Sequence, residues 1–481
     1  MLLFRLLALL LVLCSGILLA ACTGPRALSS REAQSEGVAV ELHRGPDGAW
    51  LLDYRFDHAA PAWFFIRSAK DWAGNPWRPQ SWQVETPGVR IVRVGHYDVL
   101  TGDGRPLTTV RIRVTPFTDS IAADYTPVLA FSDGGMALYS EHHLAAPLAH
   151  ADAAGKLPAD LNGVKFELVP GVMTVRDPGG TLLLDGRLHR DAARVDLNGE
   201  GKYVYTGPAR AVATPAFAGI IDPGLPGWAR DELNGFTPHL FDLYTARLGK
   251  PKGARPTLLA SWGGTGWKGV SLGGSVLDGM VVMNLKGAGM VDPTPAKIAR
   301  MRWFIGHEAA HFWMGQTVRT SRRSEAWMTE GAADLMAVRA LSLYDPAYDA
   351  PQQIQREIDD CIKVNGTKPL AGSGERGEHR ATYACGAVLM MAAEGAARRQ
   401  DGRADLFSWL RTLIDPQRQG GVVSADDWIA AFTAAGGVGA DRVRVFLDQG
   451  VSDPATFIET LLNANGVRVQ RDGARVLLGS E

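Results

Sequence analysis

His307 and His311, in the segment FIGHEAAHFWMG, stand four residues apart. On a helix that spacing puts both rings on one face, with Cβ atoms about 5–6 Å apart, a two-point grip for one metal ion. Glu308 follows the first histidine, where it reaches a water on the metal without ligating the metal itself. A catalytic zinc takes three protein ligands and keeps a fourth position for water. The segment SEAWMTEGAADLMA supplies the third as Glu330, separated from His311 by eighteen residues. That interval accommodates the rest of one helix, a turn and the start of an antiparallel helix, which returns the carboxylate over the histidine pair. Asp334 is one turn further and shares Glu330's face. It either accepts a hydrogen bond from the distal nitrogen of a histidine ligand or is a solvated helix charge. The alternative for the whole pattern is a pair of histidines satisfied inside a buried helix, which the apolar neighbours Phe304, Ile305, Phe312 and Trp313 would suit.

The elements that must carry these residues are legible around them. Thr294-Pro295 reads as an N-cap with proline in the first helical position, opening a helix expected to run to Gly315. Further helix starts are signalled by Ser324, Ser424 and Asp453-Pro454. Between Pro226 and Leu248, Trp228, Leu233, Phe236, Leu240 and Leu243 recur at helical spacing, and Gly249 closes the segment. Two extended stretches, TLLASW and GMVVMNL, separate that helix from the histidines. Upstream the period changes to two. Trp50, Leu52, Tyr54 and Phe56 point one way after the turn Gly45-Pro46-Asp47-Gly48, and VRIVRV and TTVRIRV continue the pattern. VMTVRDPGGTLLL reads as a hairpin around Asp177-Pro178-Gly179-Gly180, and VRVQRDGARVLL as a closing hairpin. The expectation is an α+β, multidomain chain: an N-terminal β-sandwich-like domain over 37–208, a mainly helical catalytic domain over 209–400, and a C-terminal helical part over 401–481.

With 481 residues and 46% hydrophobic content the chain has ample core for two or three domains. Its 50 basic and 51 acidic side chains balance, which leaves no global field for nucleic acid. Residues 1–22 carry Arg5, an apolar run and then Leu19-Ala20-Ala21-Cys22, the pattern of a secretory signal. The small residues ending in Cys22 resemble a bacterial lipobox, in which cleavage leaves the cysteine as a lipid-modified N-terminus; the alternative is an uncleaved anchor. Residues 23–36 are polar and aperiodic, a linker. The expected location is the bacterial cell envelope, lipid-anchored to a membrane through Cys22 and facing the periplasm or exterior. Such a compartment permits a disulfide between Cys361 and Cys385, against the alternative of two separately buried thiols.

Around these motifs the sequence resembles the gluzincin metallopeptidases, in particular the membrane alanyl aminopeptidase family. The resemblance rests on HEAAHFWMG, with Trp313 and Gly315 after the second histidine, on WMTEGAADL around Glu330, and on TYACGAVLMM, where that family carries a catalytic tyrosine. It covers about 295–400. GAARRQDGRADLFSWLRTLI, VFLDQGVSDPATFIETLLNANGV and WFFIRSAKDWAGNPW are similar to the related glycyl aminopeptidase family. The resemblance implies a thermolysin-like catalytic domain and zinc held by His307, His311 and Glu330. It also implies Glu308 as general base and Tyr383 as hydrogen-bond donor to the oxyanion. One feature departs from it: the family's Gly-x-Met-Glu-Asn strand binds the substrate's free α-amino group through its glutamate, and no glutamate occurs between Glu232 and Glu308. Asp278 is either a substitute or a turn residue. WGGTGWKG and SLGGS are either an edge for an extended peptide or loops beside the cleft. Arg376, His379 and Arg380 are substrate contacts or ordinary loop residues; His142 and His143 have no metal spacing.

The function expected is therefore an exported zinc metallopeptidase acting on peptides, aminopeptidase-like, with strict exopeptidase specificity in question. Two rivals stand beside it. One is a zinc-binding envelope lipoprotein of weak or no peptidase activity that binds a peptide or partner through its β domain. The other uses the same water against another electrophile, such as an epoxide.

Overall fold

The computed structural model describes residues 37–102 and 104–479. The signal sequence, Cys22 and the linker lie outside the described residues. Among the described residues no helix is long and apolar enough to cross a membrane.

The fold is α+β and multidomain. In its first part, alternation builds a six-stranded sheet whose middle pair is Val38–Arg44 against Trp50–Ala60, antiparallel, with Val40 opposite Tyr54. Gly171–Arg176 joins Val38–Arg44 in parallel. A four-stranded sheet and a second, five-stranded one complete the β region, and their inward residues, among them Trp63, Leu100, Leu138 and Val204, share one core with Leu52 and Tyr54. Within it Arg78 is wholly buried and paired to Asp98 at 3.0 Å. Buried charge persists where it is paired and hydrogen-bonded, and here the guanidinium also reaches the carbonyl of Arg67 at 2.7 Å.

The segment VMTVRDPGGTLLL is not a hairpin. Gly171–Arg176 lies in the six-stranded sheet, whereas Thr181–Leu184 pairs with Arg187–His189 and Tyr203–Gly207 in another. Leu182, Leu183 and Leu184 are all buried, so this short run is covered on both faces. The Asp177 carboxylate accepts from Thr206 Oγ1 at 2.6 Å, which holds the corner to the second sheet.

A further five-stranded sheet begins the second part, in the order Val212–Ala213, Ala218–Ile221, Thr257–Trp262, Met280–Lys286, Ser271–Leu277. The first pairing is antiparallel, the next two parallel, and the last, at the edge, antiparallel. One face of this sheet packs on the helix Gly227–Leu248 and the helices that follow. Its other face presents Ile220, Leu259, Met280 and Val282 to Leu129, Phe131, Leu183 and Tyr205 of the β region.

Three helices carry the chemistry-bearing residues: Pro295–Ala310, Trp327–Tyr344 and His379–Gln400. Thr294 caps the first by accepting from the Lys297 amide. That helix stops at Ala310 rather than Gly315. Phe312, Trp313 and Met314, which follow it, are all buried. The chain instead wraps round through bonds from the Gln316, Thr317 and Val318 amides to the His311, Phe312 and Trp313 carbonyls. Ser324 is likewise not a cap: it lies within the short turn Arg323–Glu325 that precedes the second helix. Ser424 and Asp453 do cap their helices, and Val469–Asp472 pairs with Arg475–Leu478 as a closing hairpin.

Candidate active site

The second and third of these helices pack backbone to backbone. A Cβ on Gly386 would lie 2.1 Å from the Trp327 carbonyl oxygen, and one on Gly331 would lie 2.1 Å from the Gly386 carbonyl carbon. Only glycine permits that approach. It brings Glu330, next to Gly331, and Tyr383, one turn before Gly386, onto the face of the histidine helix.

Three atoms then converge. His307 Nε2 and His311 Nε2 are 3.2 Å apart, and Glu330 Oε2 is 3.4 Å from the first and 3.5 Å from the second. The other ring nitrogens are committed as donors: His307 Nδ1 to Asp334 at 2.7 Å, and His311 Nδ1 to the Met314 carbonyl at 3.1 Å. Both Nε2 atoms therefore present lone pairs, and Glu330 Oε2, buried and without a hydrogen-bond partner, presents another. Three lone pairs facing one another call for a cation. A tetrahedral zinc with bonds of about 2.0–2.1 Å separates its ligand atoms by about 3.3–3.4 Å, so this set fits zinc in both donor type and size. It is the one such cluster of His, Cys, Asp and Glu among the described residues.

The electrostatics follow from the same contacts. Burial opposes protonation of His307 in the metal-free site, but the Asp334 carboxylate on Nδ1 and the Glu330 carboxylate facing Nε2 outweigh it and raise the pKa to about 10, so that without metal Nε2 carries a proton in place of its lone pair. Burial also opposes ionisation of Glu330, and the two histidines overcome it and hold the carboxyl well below its usual range. In the absence of metal a proton does part of the cation's work. Glu308 is pushed up by burial, with the histidines pulling the other way, the setting that suits a general base. The Tyr383 phenol is raised by burial and then by Glu330, so it remains a donor. Its ring stacks on His307 with centroids 5.5 Å apart.

These side chains line a cleft of about 860 Å³. The edge strand Ser271–Leu277 forms one wall through Gly274, Ser275, Val276 and Leu277. A Cβ on Gly274 would lie 2.6 Å from Phe304 Cζ and 3.3 Å from Glu308 Oε1, so glycine leaves the space that Glu308 uses. SLGGS is thus an edge strand rather than a loop, and Asp278 is an exposed turn residue that also borders the cleft.

The opposite wall comes from the β region and was not foreseen in the sequence: Arg67, Tyr125, Tyr139 and Glu141. Glu141 pairs with Arg67 at 2.5 Å and accepts from the Tyr139 hydroxyl at 3.0 Å. No motif marks them, because strands far apart in sequence bring them together. Their one local signal is charge inside an apolar run, as in WFFIR and ALYSE.

The remaining candidates are structural. Asp334 is fully buried against His307 and Arg380. Arg376 bonds Glu378 and the Pro369 and Ala371 carbonyls, and His379 is exposed at the start of its helix. His142 and His143 are buried in the β region against the carbonyls of Tyr125 and Ser140; burial lowers the pKa of both. Cys361 and Cys385 form a disulfide with Cα atoms 4.7 Å apart, tying the end of the helix Ala350–Asp360 to the helix of Tyr383.

No family model matches the chain, and no curated protein matches its sequence. Solved structures do. An aminopeptidase N family protein from Idiomarina loihiensis is similar at 11% identity over 90% of this chain and 79% of that one, with a TM-score of 0.58. An M1 zinc metallopeptidase from Deinococcus radiodurans matches at 17% identity over 85% and 93%, TM-score 0.44. Yeast LTA4 hydrolase matches at 10% over 86% and 67%, TM-score 0.45. The first of these establishes the fold.

Proposed function

We propose that the chain is a zinc metallopeptidase that hydrolyses peptide bonds with Glu308 as general base. The observation that carries the reading is the triangle of lone pairs from His307, His311 and Glu330 with Glu308 beside it in an open cleft. The fold shared with an aminopeptidase N family protein supports it. His307, His311 and Glu330 would hold a zinc ion, which when bound would supply the Lewis acidity that activates a water and polarises the scissile carbonyl. Glu308 takes the proton of the attacking water and passes it to the departing amine. Tyr383 donates to the carbonyl oxygen as it gains charge. The free edge of Ser271–Leu277 aligns an extended peptide by backbone pairing. A purely structural metal site has no use for a half-buried glutamate at the cleft floor, which disfavours the binding-protein rival.

Purified protein is expected to hold one zinc per chain. Glu308→Gln should keep the metal while hydrolysis falls about 10²–10⁴-fold; unaltered hydrolysis would overturn the mechanism. The same assay tests the amine anchor. Glu141 is already held by Arg67 and Tyr139, and no glutamate lies on the edge strand, so N-acetylated peptides should be cleaved within about tenfold of free ones. A working charged anchor contributes about 1.5–3 kcal/mol, and a larger loss on acetylation would mean that the cleft holds one.

We propose further that the enzyme works in the cell envelope, anchored through Cys22. The leader pattern supports this, as does the buried Cys361–Cys385 bridge, since disulfides persist in oxidising compartments. Cys22→Ser should move the protein from the membrane fraction to the soluble one; retention at the membrane would argue against lipidation.

A further inference from the structure

We propose that Arg380 is a positioning residue for the metal centre, acting on His307 through Asp334; the inference rests on the zinc reading above. Asp334 has no exposed surface. Its Oδ1 accepts from His307 Nδ1 at 2.7 Å and its Oδ2 from Arg380 Nη1 at 3.1 Å. With one partner alone, that buried carboxylate would be free to swing about its own axis and carry the imidazole with it. With both oxygens engaged, its plane is set, and with it the direction of His307 Nε2.

Arg380 can set that plane because it is itself clamped. Its Nη2 donates to Glu357 Oε2 at 2.6 Å and its Nε to Asp360 Oδ2 at 2.8 Å. Three nitrogens of one rigid fork thus meet three carboxylates on two neighbouring helices, which a lysine cannot reproduce. Asp360 directly precedes Cys361, so the disulfide to Cys385 ties the clamp to the helix that bears Arg380. Tyr383 is one turn further along that helix, so the same anchor fixes the root of the oxyanion donor.

The test is the zinc dissociation constant of the full chain, measured by chelator competition, for wild type, Arg380→Lys, Arg380→Met, Asp334→Asn and the double variant Asp334→Asn/Arg380→Lys. Loss of outer partners of a metal ligand costs about 10–100-fold in affinity. Arg380→Lys should weaken binding about tenfold and Arg380→Met more, toward the upper end of that range. Once Asp334 is replaced, adding Arg380→Lys should change the affinity less than about twofold, because coupled residues are not additive. A role confined to holding helices together would instead lower the melting temperature of the metal-free protein, leave zinc affinity unchanged and add fully in the double variant; that pattern overturns the proposal. Arg380→Lys keeps the charge and most of the volume, so a failure of Arg380→Met to fold leaves the measurement intact. Wild-type protein that binds no zinc overturns the metal reading and the proposal together. Wild-type binding with equal affinity in every Arg380 variant overturns the proposal alone.

Discussion

In the proposed mechanism Tyr383 is the donor to the charge that develops on the substrate. Its ring is fixed against His307, and burial beside Glu330 keeps the phenol protonated. A donor aimed at a developing oxyanion in a partly dry cleft contributes about 3–4 kcal/mol to the transition state and little to the ground state. Tyr383→Phe should therefore lower kcat about 100- to 1000-fold while zinc content and KM stay near wild type, as steady-state kinetics with metal analysis would show; equal losses in metal and rate would make it a support for the ligands instead. At this scale the sequence was most informative where helical spacing sets the geometry. His307, His311, Glu330 and Asp334 need only two helices to meet. Arg67, Tyr139 and Glu141 were invisible because their convergence depends on strand pairing between residues far apart in the chain. Arg380 was legible only as a substrate contact or a loop residue, since its partners lie on two earlier helices.

Between elements the decisive contact is the one without side chains. The helices Trp327–Tyr344 and His379–Gln400 touch at Gly331 and Gly386, where an added Cβ meets backbone atoms that have nowhere to move. Gly386→Ala gains up to about 1 kcal/mol in helix propensity but overpacks a buried contact at about 1–3 kcal/mol, so the net stability change is small to unfavourable. Activity should suffer more. Glu330 and Tyr383 ride on the two helices that must part, and a displacement of about 1 Å in a reacting constellation costs roughly 100-fold. A lowered melting temperature with turnover at least tenfold down in the protein that remains folded is the expected pair of results; full turnover would show that the site tolerates the shift. Helix beginnings were legible here, at Thr294, Ser424 and Asp453, because a cap is a local bond. Gly249 likewise marked the end of the helix Gly227–Leu248, but the end of the histidine helix was not legible. The histidine helix stops at Ala310 and the chain turns, so that Phe312, Trp313 and Met314 are buried among partners that the sequence does not bring near them. The turn at Asp177 failed for a related reason: it suits a hairpin equally well as a step between sheets, and only the burial of Leu182–Leu184 decides.

The whole molecule is built so that neither half is complete. One face of the catalytic sheet, through Ile220, Leu259, Met280 and Val282, is covered by Leu129, Phe131, Leu183 and Tyr205 of the β region. Asp222 crosses the same boundary, accepting from the Ser132 amide at 3.0 Å. The cleft repeats this division, with His307, Glu308, His311 and Glu330 on one side and Arg67, Tyr139 and Glu141 on the other. The sequence pattern divides the chain into a β domain ending at 208 and a catalytic domain from 209, and the contact between the two regions is apolar. Contiguous apolar patches larger than a few hundred Å² are rare on soluble monomers, and stripping the β region would uncover such a face with the edge of a sheet beside it. A fragment covering 209–481 should therefore aggregate on expression or elute from size exclusion as large species, whereas the chain from residue 37 should run as a single soluble form. If the shorter fragment proved soluble, monodisperse and able to hold one zinc, the interface would be a docking contact between independent domains, and loss of the Arg67–Glu141 wall could then be read directly as a change in KM on peptides. If it aggregates, the β region is part of the catalytic unit's own core, and the cleft exists only because both parts fold together.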